Sequence, residues 1–343
     1  MNAAIDDYSA STAAVPRAAA AIAPSRVFWM LLKREFWEHR GGFLWGPLIA
    51  GAIAIVFTVL GVIGGSVLFR KVANEHGEGI NFEMGGGEIG RAGSIGDAAL
   101  AGGLGMVCLV FVFVVFFYAL GSIYDERKDR SILFWKSLPV SDTQAVLSKL
   151  AWALLLAPLL AAAIGLAVGL VMWVLAWLAA VLNGFPGAGA IFTQAHPFRL
   201  LAELAMSVPV YALWALPTVG WLMLCSAWAR SVPFVWAVVI PLLACVFVSF
   251  LDIMPGIEIP HGAIWYTVAL RGLLSVVPGT WFLHEQMNGD AQQAALKGTE
   301  ALSQLDSVNS LHVLATADLW IGAALGAAMI YAAIRLRRWR DDG

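Results

Sequence analysis

Residues 150–182 read LAWALLLAPLLAAAIGLAVGLVMWVLAWLAAVL, a run without a single charged side chain. A helix rises about 1.5 Å per residue, so about 20 such residues cross a hydrocarbon layer of roughly 30 Å. The run therefore predicts a membrane-spanning helix. Composition supports this over all 343 residues, because 60% are hydrophobic and only 13% are charged, whereas soluble domains carry roughly 25% charged residues.

Five further apolar runs resemble this one. The six predicted spans cover residues 43–69, 98–122, 150–182, 201–229, 232–251 and 314–334. The predicted fold class is therefore all-α, a polytopic membrane protein with six transmembrane helices. Residues 1–25 show no apolar period and are predicted to be a disordered tail, so that residues 26–343 form one six-span domain.

The 21 Lys and Arg residues are distributed unevenly along the chain. With six spans and an internal N-terminus, most of them fall in segments 17–40, 127–149 and 335–340, on one side of the membrane. Cytoplasmic loops retain positive charge. We therefore expect both termini to be cytoplasmic.

A separate amphipathic helix is predicted before the first span. Its apolar residues recur at helical spacing and its charged residues fall on other faces, as in a helix lying flat in the interface. The residues concerned are Phe28, Leu31, Leu32, Lys33, Arg34, Phe36, Trp37 and His39. Gly41 and Gly42 favour a break before the span. A continuous cytoplasmic extension of the span is the alternative.

The long segment 252–316 before the last span is predicted to be an outer lid. Within it, Ile264 to Leu283 is apolar enough for a seventh span, but it contains Arg271 and Pro278. A seventh span would also place the basic cluster 335–340 outside. We therefore expect interfacial or re-entrant helices, which are allowed where protein covers the backbone.

Local patterns predict one helix start and several close helix contacts. Ser141 and Gln144 have the spacing of a capping box, so a helix is expected to begin near Asp142, beyond the membrane. Small residues four apart permit close approach of two helices. The pairs are Gly61 with Gly65, Gly165 with Gly169 and Gly322 with Gly326.

Motifs for catalysis or metal binding are missing from the sequence. A phosphate-binding loop needs a Gly-Lys dipeptide, and the chain has none. No zinc-binding His pair occurs, and the centres of the predicted spans carry no charge that could bind a coupling ion. We expect no catalytic residue, cofactor or metal in this chain. It is not expected to be an enzyme, and energy for transport would come from a partner.

The loop between the second and third spans combines a mixed-charge half with an apolar half. It reads YDERKDRSILFWKSLPVSD from Tyr124 to Asp142. Exposed aromatic residues beside charges are typical of a docking surface. A solvated loop that packs on its own spans is the alternative.

This loop, followed by Lys149 at the start of a long span, resembles the corresponding loop of type-2 permeases of bacterial ATP-binding-cassette exporters. The similarity extends to the first helix with its Lys33-Arg34-Glu35-Phe36-Trp37 segment, the six spans, the short inner turn 227–234 and the long outer loop.

The resemblance implies a permease subunit with a cytoplasmic coupling helix and an interfacial connecting helix. The coupling-helix residues would be Asp125, Glu126, Arg127, Lys128, Asp129, Arg130, Phe134, Trp135, Leu138 and Pro139. Those of the connecting helix would be Phe28, Leu32, Lys33, Arg34, Phe36 and Trp37. The implied partners are two ATPase subunits, which would hold ATP and magnesium, and a second permease subunit, identical or homologous. The implied location is the bacterial inner membrane, in contact with lipid, and no nucleic-acid partner is expected.

A substrate path is predicted only loosely. Trp214, Trp221 and Trp228 recur every seven residues and share one helix face. Trp214 and Trp221, with a kink at Pro217, could line a path for an apolar substrate. Packing or lipid-facing aromatics are the alternative. For the whole chain, the alternative functions are a secondary transporter not driven by ATP and a membrane-embedded assembly factor.

Overall fold

The computed structural model describes residues 23–76, 86–131, 140–185, 187–251, 260–281 and 311–339. Every regular element in these ranges is helical, so the predicted all-α class is confirmed. The rest of the chain lies outside the described residues. This includes most of the predicted tail, half of the predicted coupling helix and much of the predicted outer lid.

Eleven α-helices are described. They are α1 (Pro24–Arg40), α2 (Gly46–His76), α3 (Gly86–Gly121), α4 (Tyr124–Lys128), α5 (Asp142–Ala151), α6 (Ala157–Leu182), α7 (Ala190–Thr193), α8 (Pro197–Trp228), α9 (Ile240–Leu251), α10 (His261–Trp265) and α11 (Ala317–Trp339). Four segments with wider, π-type turns adjoin these helices. They are Gly41–Trp45 after α1, Trp152–Leu156 after α5, Val235–Val239 before α9 and Tyr266–Leu273 after α10.

Five of the helical segments are long and apolar enough to cross a membrane. They are Pro24–Leu68, Gly93–Gly121, Asp142–Leu182, Ala190–Trp228 and Ala317–Trp339. The predicted fifth span corresponds to a shorter apolar helix, Val235–Leu251. Its 17 residues rise about 26 Å at 1.5 Å per residue, slightly less than a full hydrocarbon layer.

The first helix bends close to the position that the sequence predicted. Backbone angles inside α1 leave the helical region at His39, with φ −110° and ψ 16°, and the π-type turn follows directly. The predicted break at Gly41 and Gly42 lies two residues further on. Helical hydrogen bonding nevertheless runs on into α2, so the two segments form one bent element.

The predicted loop 70–97 is shorter than expected. Helix α2 continues to His76, and α3 already begins at Gly86. Hydropathy marks only the apolar part of a helix, and backbone hydrogen bonding continues beyond it. Gly96 in the early part of α3 packs closely against Ile191 and Trp173, so tertiary contacts cover this polar extension.

The capping box predicted at Ser141 is confirmed. The Ser141 hydroxyl accepts a hydrogen bond from the Gln144 backbone N–H at 3.2 Å, and the Gln144 side chain accepts one from the Ser141 N–H at 3.3 Å. Helix α5 therefore begins at Asp142, as expected, and leads through a π-type turn into α6.

Glycines bring two pairs of helices together. Gly165 and Gly169 of α6 meet the backbone of α3 around Leu100 and Leu104, with Gly103 opposite. At the second contact, Gly326 of α11 faces Gly220 and the backbone of Leu216 in α8. Two of the three predicted glycine pairs thus contain a glycine that lies in close contact with a neighbouring helix.

The third glycine pair behaves differently. Gly61 and Gly65 have open space where a side chain would project.

Over the described residues 260–281, the predicted outer lid contains short helical segments instead of a seventh span. Helix α10 and the turn after it end at Leu273, and irregular turns follow to Thr280. The stretch 264–283 is therefore not one continuous helix. Residues 252–259 and 282–310 lie outside the described residues.

We expect Gly169→Ala to destabilise the protein although alanine is the better helix former. The added methyl group would collide with the Leu100 backbone of α3, and forced overpacking typically costs about 1–3 kcal/mol. Thermal unfolding of the purified protein in detergent measures the effect. Gly61→Ala is the matched control, because nothing lies within 4 Å of that position. Equal melting temperatures for both variants would contradict a close α3–α6 contact.

Candidate functional site

A buried ionic cluster joins five helices at one end of the helix bundle. Its charged members come from α1, α4, α5 and α11, and Tyr118 of α3 completes it. We define the ionic cluster as Arg34, Glu35, Glu126, Asp142, Lys149, Arg337 and Tyr118. Three carboxylates face three cations within the cluster, and the exposed Glu38 also pairs with Arg34, at 3.0 Å.

Glu126 of α4 is the centre of the cluster. Only 5% of the residue is exposed. One carboxylate oxygen accepts from Arg337 NH1 at 2.7 Å, and the other lies 3.2 Å from Lys149 Nζ and 3.4 Å from Arg34 NH2. A single side chain of the loop thus contacts cations on three helices.

Glu35 of α1 forms the second half of the cluster. One of its oxygens accepts a 2.9 Å hydrogen bond from Lys149 Nζ, and the other accepts one of 2.9 Å from the Tyr118 hydroxyl. The Lys149 ammonium therefore bridges two carboxylates, Glu35 and Glu126. Each of these three charged groups is buried.

The cations keep the Glu126 carboxylate ionised. Burial, the largest single influence, would raise the pKa of Glu126, but Lys149, Arg337 and Arg34 together hold the pKa below its ordinary value of 4.5. An ion pair taken out of water stabilises a protein only when its geometry and charge balance are good. Here removing one member would leave an uncompensated buried charge.

Arg127, the neighbour of Glu126, binds the end of another helix. Its NH2 group donates to the carbonyl oxygens of Ser226 and Ala229, both at 2.7 Å, where α8 ends. These carbonyls carry the negative end of the helix dipole, which favours a cation there. The Ser226 hydroxyl in turn accepts from the N–H groups of Ile123 and Tyr124. The loop is thus fixed to α8 as well.

Aromatic packing holds α1 in place beside the cluster. The Trp152 ring is stacked between Phe36 and Phe43, at centroid distances of 5.5 and 5.1 Å. Its Nε1–H donates to the Leu32 carbonyl at 2.7 Å. Helix α1 is therefore attached to the rest of the bundle through both its charged and its apolar face.

The structure separates the predicted coupling-helix residues into two groups. Glu126 and Arg127 point inwards, as described, whereas Asp125, Lys128, Asp129 and Arg130 are exposed. Phe134, Trp135, Leu138 and Pro139 lie outside the described residues. Arg130 has φ 57°, a left-handed conformation that non-glycine residues rarely adopt, and it lies two residues after the end of α4.

The predicted connecting-helix residues all belong to α1. Phe28, Leu32, Arg34 and Phe36 are half-buried against the bundle. Lys33 and Trp37 are exposed.

The three residues of the predicted substrate path lie within α8. Trp214 and Pro217 are buried, and Trp221 is half-buried, with its Nε1–H donating to the Ala237 carbonyl at 2.9 Å. The Arg271 guanidinium covers the Trp214 ring at 3.9 Å. A substrate path along these residues stays a prediction.

Arg271 also changes the expectation of a charge-free interior. Within the described helices, no charged residue belongs to the middle of a span, but the segment 260–281 places this cation beside Trp214, near the middle of α8. Hydropathy along one helix cannot show a charge that another segment contributes.

Most of the cluster is not predicted as a site by the sequence. Glu35 and Lys149 occur in the segments that resemble the permease family, and Arg337 lies in the basic segment 335–340, but nothing in the sequence pairs them. A usable signal was present, because Glu35 lies four residues after Leu31, on the buried face of α1. A carboxylate on an apolar face requires a buried cation from elsewhere in the chain.

Metal ligands do not cluster in the described part of the chain, where no group of three or more His, Cys, Asp or Glu residues could hold an ion.

Comparison with known proteins identified no relative. No protein-family model matches the chain, and neither a curated protein nor a solved structure matches it.

We expect Glu126→Gln to lower the free energy of unfolding by about 3–5 kcal/mol, since three cations would lose their shared carboxylate in a buried site. Thermal unfolding in detergent measures the change. Asp125→Asn removes the same charge from the adjacent, exposed position and should stay within about 0.5 kcal/mol of the native protein. Similar losses in the two variants would show that Glu126 is no more than a surface charge.

The stabilisation by Glu126 should depend on pH in one direction. Because its pKa is lowered in the folded protein, its contribution is complete above the ordinary value of 4.5 and is lost as the pH falls through the lowered value. The melting temperatures of native protein and Glu126→Gln should therefore differ by a constant amount at neutral pH and converge in acid. A difference that closes between pH 8 and pH 6 would contradict the assignment.

Proposed function

We propose that this chain is the membrane-spanning subunit of an ATP-binding-cassette exporter in a bacterial inner membrane. Separate ATPase subunits would bind at the end of the bundle that carries the ionic cluster, and a second permease subunit would complete the transporter. ATP would be hydrolysed in those partners and not in this chain. The resemblance of the loop 124–142 to that of type-2 permeases is the starting point of the proposal.

The observation that carries the proposal is the burial of Glu126. Its helix, α4, is exposed on one face, and on the other it is tied by ion pairs to α1, α5 and α11 and through Arg127 to α8. A displacement of α4 cannot be absorbed locally, because it would separate buried charges. Movement of a partner on the exposed face would therefore be transmitted to several spans at once.

The exposed face of α4 has the composition of a docking surface. Asp125, Lys128, Asp129 and Arg130 alternate in sign over six residues. Complementary charges fix the orientation of a partner and exclude wrong partners.

Contacts at the cluster end of the bundle support six crossings. Helix α8 ends at the cluster, where Arg127 binds Ser226 and Ala229. Helix α11 runs back to the same end, where Arg337 binds Glu126. The chain between α8 and α11 must therefore cross once more, and the short helix Val235–Leu251 is the described segment that can do so.

The same contacts support a common side for both termini. Arg34 in α1 and Arg337 in α11 both bind Glu126. The first and last helices thus meet α4 at one end of the bundle. With the abundance of Lys and Arg in these segments, we assign this end to the cytoplasm.

The alternatives make different predictions about partners. A secondary transporter would work without an ATPase, and the Arg271 charge beside α8 is compatible with one. A membrane-embedded assembly factor would transport nothing. The alternating exposed charges at Asp125, Lys128, Asp129 and Arg130 favour a bound soluble partner, and hence the exporter.

The first test is purification of the tagged full-length chain from its native membrane in mild detergent. We expect an ATPase of the ATP-binding-cassette type to co-purify, identified by mass spectrometry. Recovery of the permease without any such ATPase would contradict the proposal and favour a secondary transporter or an assembly factor.

Reversal of two exposed charges, Lys128→Glu with Arg130→Glu, should reduce recovery of the ATPase by roughly tenfold or more, because each would create a like-charge contact in the interface. The amount of permease in the membrane should not change, since both side chains are exposed. Arg70→Glu with Lys71→Glu is the control, an equal reversal of two exposed charges near the far end of α2. An unchanged ATPase yield would exclude this face of α4 as the docking site.

A further inference from the structure

Arg271 is a buried cation that contacts the first turns of α11 and the middle of α8, away from the ionic cluster. Only 5% of the residue is exposed. It belongs to the π-type turn after α10, in the segment 260–281, which we name the outer segment. Its neighbour in α11, Gly322, precedes Arg337 by fifteen residues, so the two arginines are separated by about 22 Å along that helix.

On the α8 side, Arg271 contacts the helix at a proline. Its NH1 group donates to the Trp214 carbonyl at 2.7 Å, and its guanidinium lies 3.9 Å from the centroid of the Trp214 ring. Pro217 has no N–H, so it interrupts the hydrogen-bond pattern of α8 one turn away. The Arg271 guanidinium thus binds α8 close to the point where its backbone hydrogen bonding is interrupted.

On the α11 side, Arg271 contacts the first turns of the helix. Its Nε lies 3.3 Å from the Asp318 carboxylate, and its NH2 donates to the Asp318 carbonyl at 3.3 Å. The same carboxylate oxygen accepts a 2.8 Å hydrogen bond from the Tyr266 hydroxyl. Gly322 leaves the space that the guanidinium occupies, and any side chain there would collide with it.

The outer segment fills a gap between α8 and α11. On the side towards the ionic cluster, this gap ends where the two helices touch. The two helices touch through Gly220 and Gly326, four residues further along α11 than Gly322. On the side of that contact away from the ionic cluster, Arg271 lies between α8 and α11. The Val276 carbonyl and Thr280 also bind α8, through the Tyr211 hydroxyl at 3.2 Å and Trp214 Nε1 at 3.0 Å.

The Arg271 contact to α11 is the weaker of the two. Among the described residues, Arg271 Nε has no aligned hydrogen-bond acceptor although the Asp318 carboxylate is close. The Asp318 side chain is 30% exposed, so water can compete for it. On α8, by contrast, the contact combines a short hydrogen bond with a cation–π interaction in a dry site.

We propose that the outer segment is a gate and that Arg271 is the latch that holds it closed between α8 and α11. Opening begins at Asp318, where the guanidinium leaves the carboxylate and the space at Gly322, and the segment then moves away from α11. The gap between α8 and α11, on the side of the Gly220–Gly326 contact away from the ionic cluster, becomes accessible. This inference builds on the proposed transport function, for which such an opening would release substrate.

Cysteine labelling tests the latch on the purified full-length permease without any ATPase. Val276 is 1% exposed in the outer segment, so Val276→Cys reports opening through its reaction with a hydrophilic maleimide, measured for each peptide by mass spectrometry. The latch is weakened in two ways, by Asp318→Asn and by Gly322→Ala. The second leaves every charge in place. Gly61→Ala is the matched glycine control, in open space on α2.

We expect the thiol introduced at position 276 to react about tenfold faster in the Asp318→Asn and Gly322→Ala backgrounds than in the native or Gly61→Ala background, the factor that corresponds to about 1.4 kcal/mol of lost closure. Cys225, buried in α8 near the cluster, should keep its slow rate. Two results would overturn the latch. One is an unchanged rate at the introduced thiol, and the other is a parallel rise at Cys225, which would make Arg271 a general structural residue.

The result is independent of the partner. Failure of the labelling test leaves the docking of an ATPase on α4 untouched, whereas failure of the co-purification leaves the labelling result intact.

Discussion

The ion pairs of Glu126 are the interaction on which the arrangement of helices depends. A carboxylate this deeply buried must meet cations, and it meets three, from three different helices. Each of those helices is consequently fixed in position relative to the loop. Such a cluster stabilises one arrangement because any relative movement of its members exposes an unpaired charge to a poorly polar surrounding.

The ionic cluster and Arg271 use charge in different ways. The ionic cluster is closed and linked to five helices, which suits the transmission of force as a rigid body. Towards the start of α11 a single cation, Arg271, bridges two helices, and its carboxylate partner Asp318 is partly exposed. A contact of the second kind breaks at lower cost. We therefore place the rigid junction at the ionic cluster and the movable part at Arg271.

Sequence reasoning succeeded where the determining information is local. The capping box at Ser141 depends on residues three positions apart, and both of its hydrogen bonds are present. Long apolar runs identified the helices that can span a membrane. Hydropathy was less reliable for the length of a span, since the helix Val235–Leu251 is short. It also missed the helical residues within 70–97, because both flanking helices extend beyond their apolar residues. Neither Glu35 nor Arg271 could be assigned a partner from sequence spacing.

The sequence by itself determined that this chain is helical and suited to a membrane, because composition and apolar run length follow directly from the residues. It also determined where α5 begins. Only the tertiary structure decided that Glu126 faces inwards, that Glu35 and Lys149 are paired, and that Arg271 lies on Trp214. The physical reason is distance along the chain: Glu126 and Arg337 are 211 residues apart. Only the packing of the intervening helices brings such charges together.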